Sequence, residues 1–353
     1  MELIIGTYST ENEPGIYRYR WDTPKNEFVA IGNITGIENP SYLDVDSRSE
    51  RIYAITEKKE GGFSELHVYD IGTEDQAAQL SCLTFLGAGS CYISSNSSKQ
   101  HAFVANYQDG TLSVIELPLK TEPGRVVQTV DFSGNGPNKE RQDQPHLHAA
   151  LLSKDERYLY CSDLGSDRLY RFVYSPEGEK PLEAEEPQYL DLPPGSGPRH
   201  FIFSPEGRWL YLVTEMSGDV FLFDMQAFAT GWQQQVSLLQ EGYQGKIEAG
   251  DIQIHPNGQF LYASSRGEAN EIIVFSIDQN DGKLNFLQRI GAAGLSPRSL
   301  LICEEENLVL AANEQSDNVS IFSLNEEGTL TFSKMHLEVP CPTCLKVFRR
   351  NSK

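Results

Sequence analysis

The chain is poor in positive charge: 29 Lys and Arg stand against 50 Asp and Glu, a formal net charge of −21. General nucleic-acid binding and adhesion to anionic membranes both need a basic face, so neither partner is expected. Long apolar runs are missing, so no segment is expected to span a bilayer. The opening MELIIGTYST lacks the charged and apolar regions of a secretory signal. A cytoplasmic protein is the expectation. Cysteine is sparse and scattered, at Cys82, Cys91, Cys161, Cys303, Cys341 and Cys344. That spacing is not a disulfide framework, and it reads as buried thiols in a reducing compartment. CPTC at 341–344 has the spacing of half a zinc or redox site, but no second CxxC and no HxxxH accompanies it. GSG at 195–197 and GNG at 134–136 complete no nucleotide fingerprint and read as loops. No metal and no cofactor are expected.

What the chain does have is repetition. A Pro- or Gly-led apolar strand, a tight turn and a second apolar strand recur seven times, about every 50 residues. GPRHFIFSPEGRWLYLVTEMSGDVFLFD, from Gly197 to Asp224, is the clearest copy. The second strands centre on Ile4, Tyr53, Phe103, Tyr160, Tyr211, Tyr262 and Leu310. A period of this length, built of strands, predicts an all-β fold: one seven-bladed β-propeller of four-stranded antiparallel blades over 1–353. Third strands such as DVFLFDM alternate as half-buried strands do, and fourth strands such as FVAIGNI are weaker. The first copy lacks its opening strand, and PTCLKVF at 342–348 matches PSYLDV at 40–45. The C-terminal strand should therefore enter the N-terminal blade and close the ring. The stretch 118–145 is the one long excursion, expected as a surface loop over the channel mouth.

In a propeller the first strand of each blade lines the channel and the second runs back beside it. The start of the first and the end of the second share one rim. The first-strand starts are Ser41, Cys91, His148, Arg199, Gly250, Arg298 and Thr343. The second-strand ends are Tyr8, Glu57, Tyr107, Leu164, Glu215, Arg266 and Glu314. Strands favour apolar and β-branched residues, so a ring rich in His, Arg, Glu and Tyr points to a site. The planar fork of Arg suits phosphate and carboxylate. PHLH at 145–148 sets His146 and His148 on one strand face, and alternation sets His200 on the face opposite Arg199. His67, His101, His255 and His336 fall at turns or outer strands with no expected role.

At these residues the chain resembles the propeller lactonases, the family of bacterial 6-phosphogluconolactonase and fungal carboxy-muconate cyclase. GTYS at 6–9, ANYQDGTLSV at 105–114, GPNKERQDQPHLH at 136–148, SDLGSDRLY at 162–170, GPRHF at 197–201, SSRG at 264–267 and ANEQSDNVSIF at 312–322 carry the resemblance. It implies His148, Arg199, Glu215 and Arg266 as catalytic residues. His146, His200, Arg298, Glu57, Tyr107 and Glu314 are expected to bind substrate. Family members often read PRHF where this chain reads PRSL, so Ser299 stands in place of a His. The implied reaction is hydrolysis of a small anionic sugar lactone, 6-phospho-D-glucono-1,5-lactone, to 6-phosphogluconate in the pentose phosphate pathway. His148 or Glu215 would take the proton from the attacking water, and Arg199 or Arg266 would hold the oxyanion. The other Arg, with Arg298 and His146, would hold the phosphate. The absence of a GxSxG motif disfavours a covalent acyl-enzyme. A muconate-type cycloisomerase or lyase, another lactone hydrolase, and a non-catalytic scaffold are the alternatives.

Overall fold

A computed structural model describes residues 1–58, 61–72, 77–117 and 122–350. Seven four-stranded antiparallel sheets stand around one axis, and within each sheet neighbouring strands are consecutive in sequence, except in the one blade where the last strand of the chain joins the first three. The innermost strands are Pro342–Phe348, Tyr42–Asp46, Ser90–Ser95, Leu147–Leu152, Pro198–Phe203, Ala249–Ile254 and Pro297–Cys303, and each packs against the next around the ring. We number the blades 1–7 in that order. The expected closure is observed. Pro342–Phe348 pairs antiparallel with Glu2–Thr7, so blade 1 joins both ends of the chain.

The closing strand is gripped on both faces. Leu345 packs with Leu3, Ile5 and Leu310 towards blade 7. Cys344 and Phe348 pack with Ile4, Leu43 and Ile52 towards blade 2. Thr343 Oγ1 donates within 3.0 Å of both the Gly6 and Ser41 carbonyls.

Blade-on-blade packing explains the burial pattern. The second strands His101–Asn106, Trp209–Thr214 and Leu308–Asn313 are buried at every residue, because neighbouring blades cover both faces. Third strands such as Asp219–Asp224 are buried through their middle rather than on one face only, for the same reason. Alternation reaches full strength only at the rim, where Leu330–Glu338 alternates buried or half-buried with exposed residues along its outer half. Anchor tyrosines tie blades together: the Tyr211 and Tyr262 hydroxyls donate to the Gly282 and Gly328 carbonyls in the next blades, at 2.7 and 2.8 Å.

The excursion at 118–145 differs from expectation in one part. Arg125–Asp131 is the outer strand of blade 3, and the apolar positions of RVVQTVD explain it. A loop follows up to the inner strand of blade 4, while residues 118–121 lie outside the described residues. The expectation for cysteine also needs correction. Cys91, Cys161, Cys303 and Cys344 are buried, but Cys341 is half-buried and Cys82 is exposed on a rim strand. Among the described residues no helix is long and apolar enough to cross a membrane.

Candidate active site at the channel mouth

One local device aims the rim residues. In six blades the pairing of first and second strands slips at the first strand's start, at Cys91, His148, Arg199–His200, Gly250–Asp251, Arg298 and Thr343. In blade 2 the ladder begins at Tyr42, one residue past Ser41. A bulge adds a residue to one strand and redirects its side chain. It also defeats simple alternation. His200, expected on the face opposite Arg199, instead lies inside the channel with its ring 5.2 Å from that of His148.

His148, Arg199, Glu215 and Arg266 meet in one buried cluster, each no more than 5% exposed. Glu215 Oε2 accepts from Arg199 at 2.6 Å and from Arg266 at 2.9 Å. Its other oxygen accepts from Arg141 at 2.5 Å. Burial alone would raise the Glu215 pKa, but the Arg266, Arg199 and Arg141 charges outweigh it and hold the carboxyl well below its usual range. Arg199 also donates to His148 Nε2 at 2.5 Å and, through Nε, to the Gly250 carbonyl at 2.7 Å. Gly250 has to be glycine: a Cβ there would collide with the Ser264 hydroxyl and the Pro297 carbonyl. Burial, then Arg199, keeps His148 neutral, with a pKa well below the ordinary value. Arg266 is lowered to about 10 by burial and by Arg199, against the pull of Glu215, and stays charged at neutral pH.

A second cluster lies across the opening. The Tyr8 hydroxyl donates to Glu57 at 2.8 Å and accepts from Arg298 at 2.8 Å. Arg298 also donates to Glu314 at 3.4 Å. Tyr8, Glu57 and Glu314 raise the Arg298 pKa against the effect of burial. The two clusters together bring four Arg and three Glu to one mouth, in a chain that is acidic overall.

The remaining expected residues frame these clusters. His146 stacks on Tyr107 at 4.4 Å and donates from Nδ1 to the Tyr107 carbonyl at 2.8 Å. The Tyr107 ring also meets His148 edge-on at 5.6 Å. Beneath the cluster, His200 Nδ1 donates to Asp251 at 2.8 Å, with the Tyr42 and Tyr92 rings beside it. Burial and Arg199 push His200 down to about 4, although Asp251 opposes them. Farther down the channel, a cavity of about 290 Å³ is lined by His200, Asp251, Tyr42 and Tyr92, with Lys154 and Lys346 towards the other face. Ser41, Leu164 and Thr343 are buried and belong to the packing.

Sequence reasoning missed Arg141. It lies in the loop before blade 4, and its neighbour Gln142 is fully buried. Gln142 donates to the Leu164 carbonyl at 2.9 Å and to Asp167 at 2.8 Å. Asp167 in turn accepts the backbone N–H groups of Gly195 and Gly197. This pinning points Arg141 at Glu215. The only signal in the sequence was its place in GPNKERQDQPHLH, within a loop expected over the mouth.

Residues 2–347 match the family model described as "Lactonase, 7-bladed beta-propeller". The chain belongs to that lactonase family. Among its relatives, the 6-phosphogluconolactonase of Bacillus subtilis (strain 168) is 28% identical over 97% of each chain. The 6-phosphogluconolactonase of Formosa agariphila is also 28% identical, over 98% of this chain and 99% of its own. Among solved structures, the periplasmic gluconolactonase PpgL of Pseudomonas aeruginosa superposes with a TM-score of 0.89 at 30% identity, covering 98% of both chains. The proteins it is similar to thus include two named 6-phosphogluconolactonase and one named gluconolactonase.

Proposed function

We propose that this protein hydrolyses 6-phospho-D-glucono-1,5-lactone to 6-phosphogluconate, a cytoplasmic step of the pentose phosphate pathway. The carrying observation is the convergence of Arg141, Arg199, Arg266 and Arg298 on one mouth, with Glu215 clamped among three of them. Such a site suits a small anion that becomes more anionic as it reacts. The two 6-phosphogluconolactonase relatives support the phosphorylated substrate.

The chemistry follows from the protonation states. Glu215 is held ionised and both its oxygens are occupied by guanidinium donors, so it serves as an anchor for those groups rather than as the base. His148 is neutral, with a lone pair on Nε2 that accepts from Arg199. When the lactone carbonyl arrives, Arg199 turns to that oxygen and frees Nε2. A water then adds to the carbonyl carbon and gives its proton to His148, while Arg199 and Arg266 hold the oxyanion. Collapse of the intermediate breaks the bond to the ring oxygen, which takes the proton back from His148. Arg298 and Arg141 face the phosphate. No step uses a metal, so turnover is expected to survive chelator.

The test is an assay of purified protein against gluconolactone, its 6-phosphate and muconolactone, each corrected for spontaneous hydrolysis. A kcat/KM highest for the 6-phosphate supports the proposal. Preference for gluconolactone or muconolactone, or no turnover of any, rejects it.

A further inference from the structure

We propose that blade 2 carries a zinc-class divalent metal site made by Glu65, His67 and Cys82. It lies on the outer half of the blade, away from the channel axis. Glu65 and His67 are two residues apart on the strand Phe63–Asp70, so their side chains share one face. Cys82, on the neighbouring strand Ala78–Leu86, pairs directly opposite His67.

The spacing of the donors is the argument. His67 Nε2 lies 3.3 Å from Glu65 Oε2 and 3.6 Å from Cys82 Sγ. All three donor atoms fall within 4.8 Å of one another, and among the described residues no other group of three such side chains converges in this way. A tetrahedral ion with Zn–N and Zn–O bonds of about 2.0–2.1 Å and a Zn–S bond of about 2.3 Å requires N···O near 3.3 Å and N···S near 3.6 Å. The His67–Glu65 and His67–Cys82 pairs already stand at those separations, and the Glu65–Cys82 pair lies within 4.8 Å. The donor set, one thiolate, one imidazole and one carboxylate, suits zinc better than calcium or magnesium, which prefer oxygen alone. The far side of the imidazole is supported as well. His67 Nδ1 lies 3.3 Å from the Tyr69 hydroxyl and 3.4 Å from the Gln79 amide; in the tautomer with the proton on Nδ1 the hydroxyl accepts that hydrogen bond and the Nε2 lone pair is left for the ion. Three protein ligands leave the fourth position to water.

Lys58 is the competitor. Its ammonium donates to Glu65 Oε2 at 3.0 Å and stands 3.9 Å from Glu38. Metal binding would displace it towards Glu38. That displacement distinguishes a metal site from a plain polar cluster: removing the Lys58 charge should tighten metal binding.

The experiment is titration of the full chain with Co2+, read by absorption, followed by competition with Zn2+. One equivalent should give tetrahedral visible bands and a near-ultraviolet thiolate-to-cobalt band, both lost on adding Zn2+. Cys82→Ser, at an exposed position, should abolish the thiolate band and weaken binding about tenfold or more. Lys58→Met should tighten binding several-fold. The proposal is overturned if wild type gives no thiolate band, if the band persists in Cys82→Ser, or if Lys58→Met binds more weakly. The optical readout is independent of any hydrolytic activity.

Discussion

Arg199→Lys keeps a positive charge in the mouth but removes the fork that spans it. Arg199 makes three contacts: NH1 to His148 Nε2 at 2.5 Å, NH1 to Glu215 at 2.6 Å, and Nε to the Gly250 carbonyl at 2.7 Å. An ammonium on a flexible stem cannot reproduce that planar set. In the proposed reaction the same guanidinium turns to the developing oxyanion, so its loss should fall on the transition state. Removing one such donor costs about 10²–10³ in kcat, roughly 3–4 kcal/mol. The fall should appear in kcat and kcat/KM together, with KM moving little. Steady-state hydrolysis of 6-phosphogluconolactone near neutral pH, corrected for the spontaneous rate, measures it. A thermal melt confirms that the variant is folded. A folded Arg199→Lys protein with kcat within about threefold of wild type would refute the reasoning, because among the described residues no other side chain bridges His148 and Glu215 in the same way.

Other expectations rest on different parts of the structure. Arg141→Gln should raise KM for the 6-phosphate about tenfold, some 1.4 kcal/mol, and raise KM for gluconolactone much less. Equal effects on the two substrates would deny Arg141 a role at the phosphate. Stability should fall with acid. His200 is lowered to about 4 and His148 also lies below the ordinary His value, so the unfolded chain binds more protons. Their contribution is complete above about pH 6.5 and declines as pH falls from there, by up to about 3 kcal/mol for His200 by pH 4. Urea unfolding at pH 7 and pH 5 should therefore show a loss of stability, smaller in His200→Gln, and an equal loss in that variant would contradict the assignment. Leu345→Ala in the closing strand should cost about 2–5 kcal/mol in urea unfolding, since the residue is 3% exposed between blades 1 and 7. A cost under about 1 kcal/mol would mean that closure does little for stability.

The ring was readable because it is periodic. Seven anchors from Ile4 to Leu310 all fall inside second strands, and the need to pair Glu2–Thr7 pointed to the C-terminal strand. The same periodicity places His148, Arg199, Glu215 and Arg266 at one mouth. What it could not show were departures from regularity. A bulge breaks alternation, so His200 was placed on the wrong face. Arg141 belongs to no repeat, and its aim depends on the Gln142–Asp167 contact between distant segments. Third strands read as half-buried because alternation cannot register a neighbouring blade covering the second face. His67 and Cys82 looked unremarkable alone, since a cross-strand pair depends on register, and a bulge follows at Val68.

The most direct test of the central claim is a crystal structure with 6-phosphogluconate, the product of the proposed reaction. The account predicts the product carboxylate within hydrogen-bond distance of Arg199 and Arg266, the phosphate against Arg298 or Arg141, and Arg199 NH1 drawn away from His148. Product bound elsewhere, with Arg199 still donating to His148, would contradict it.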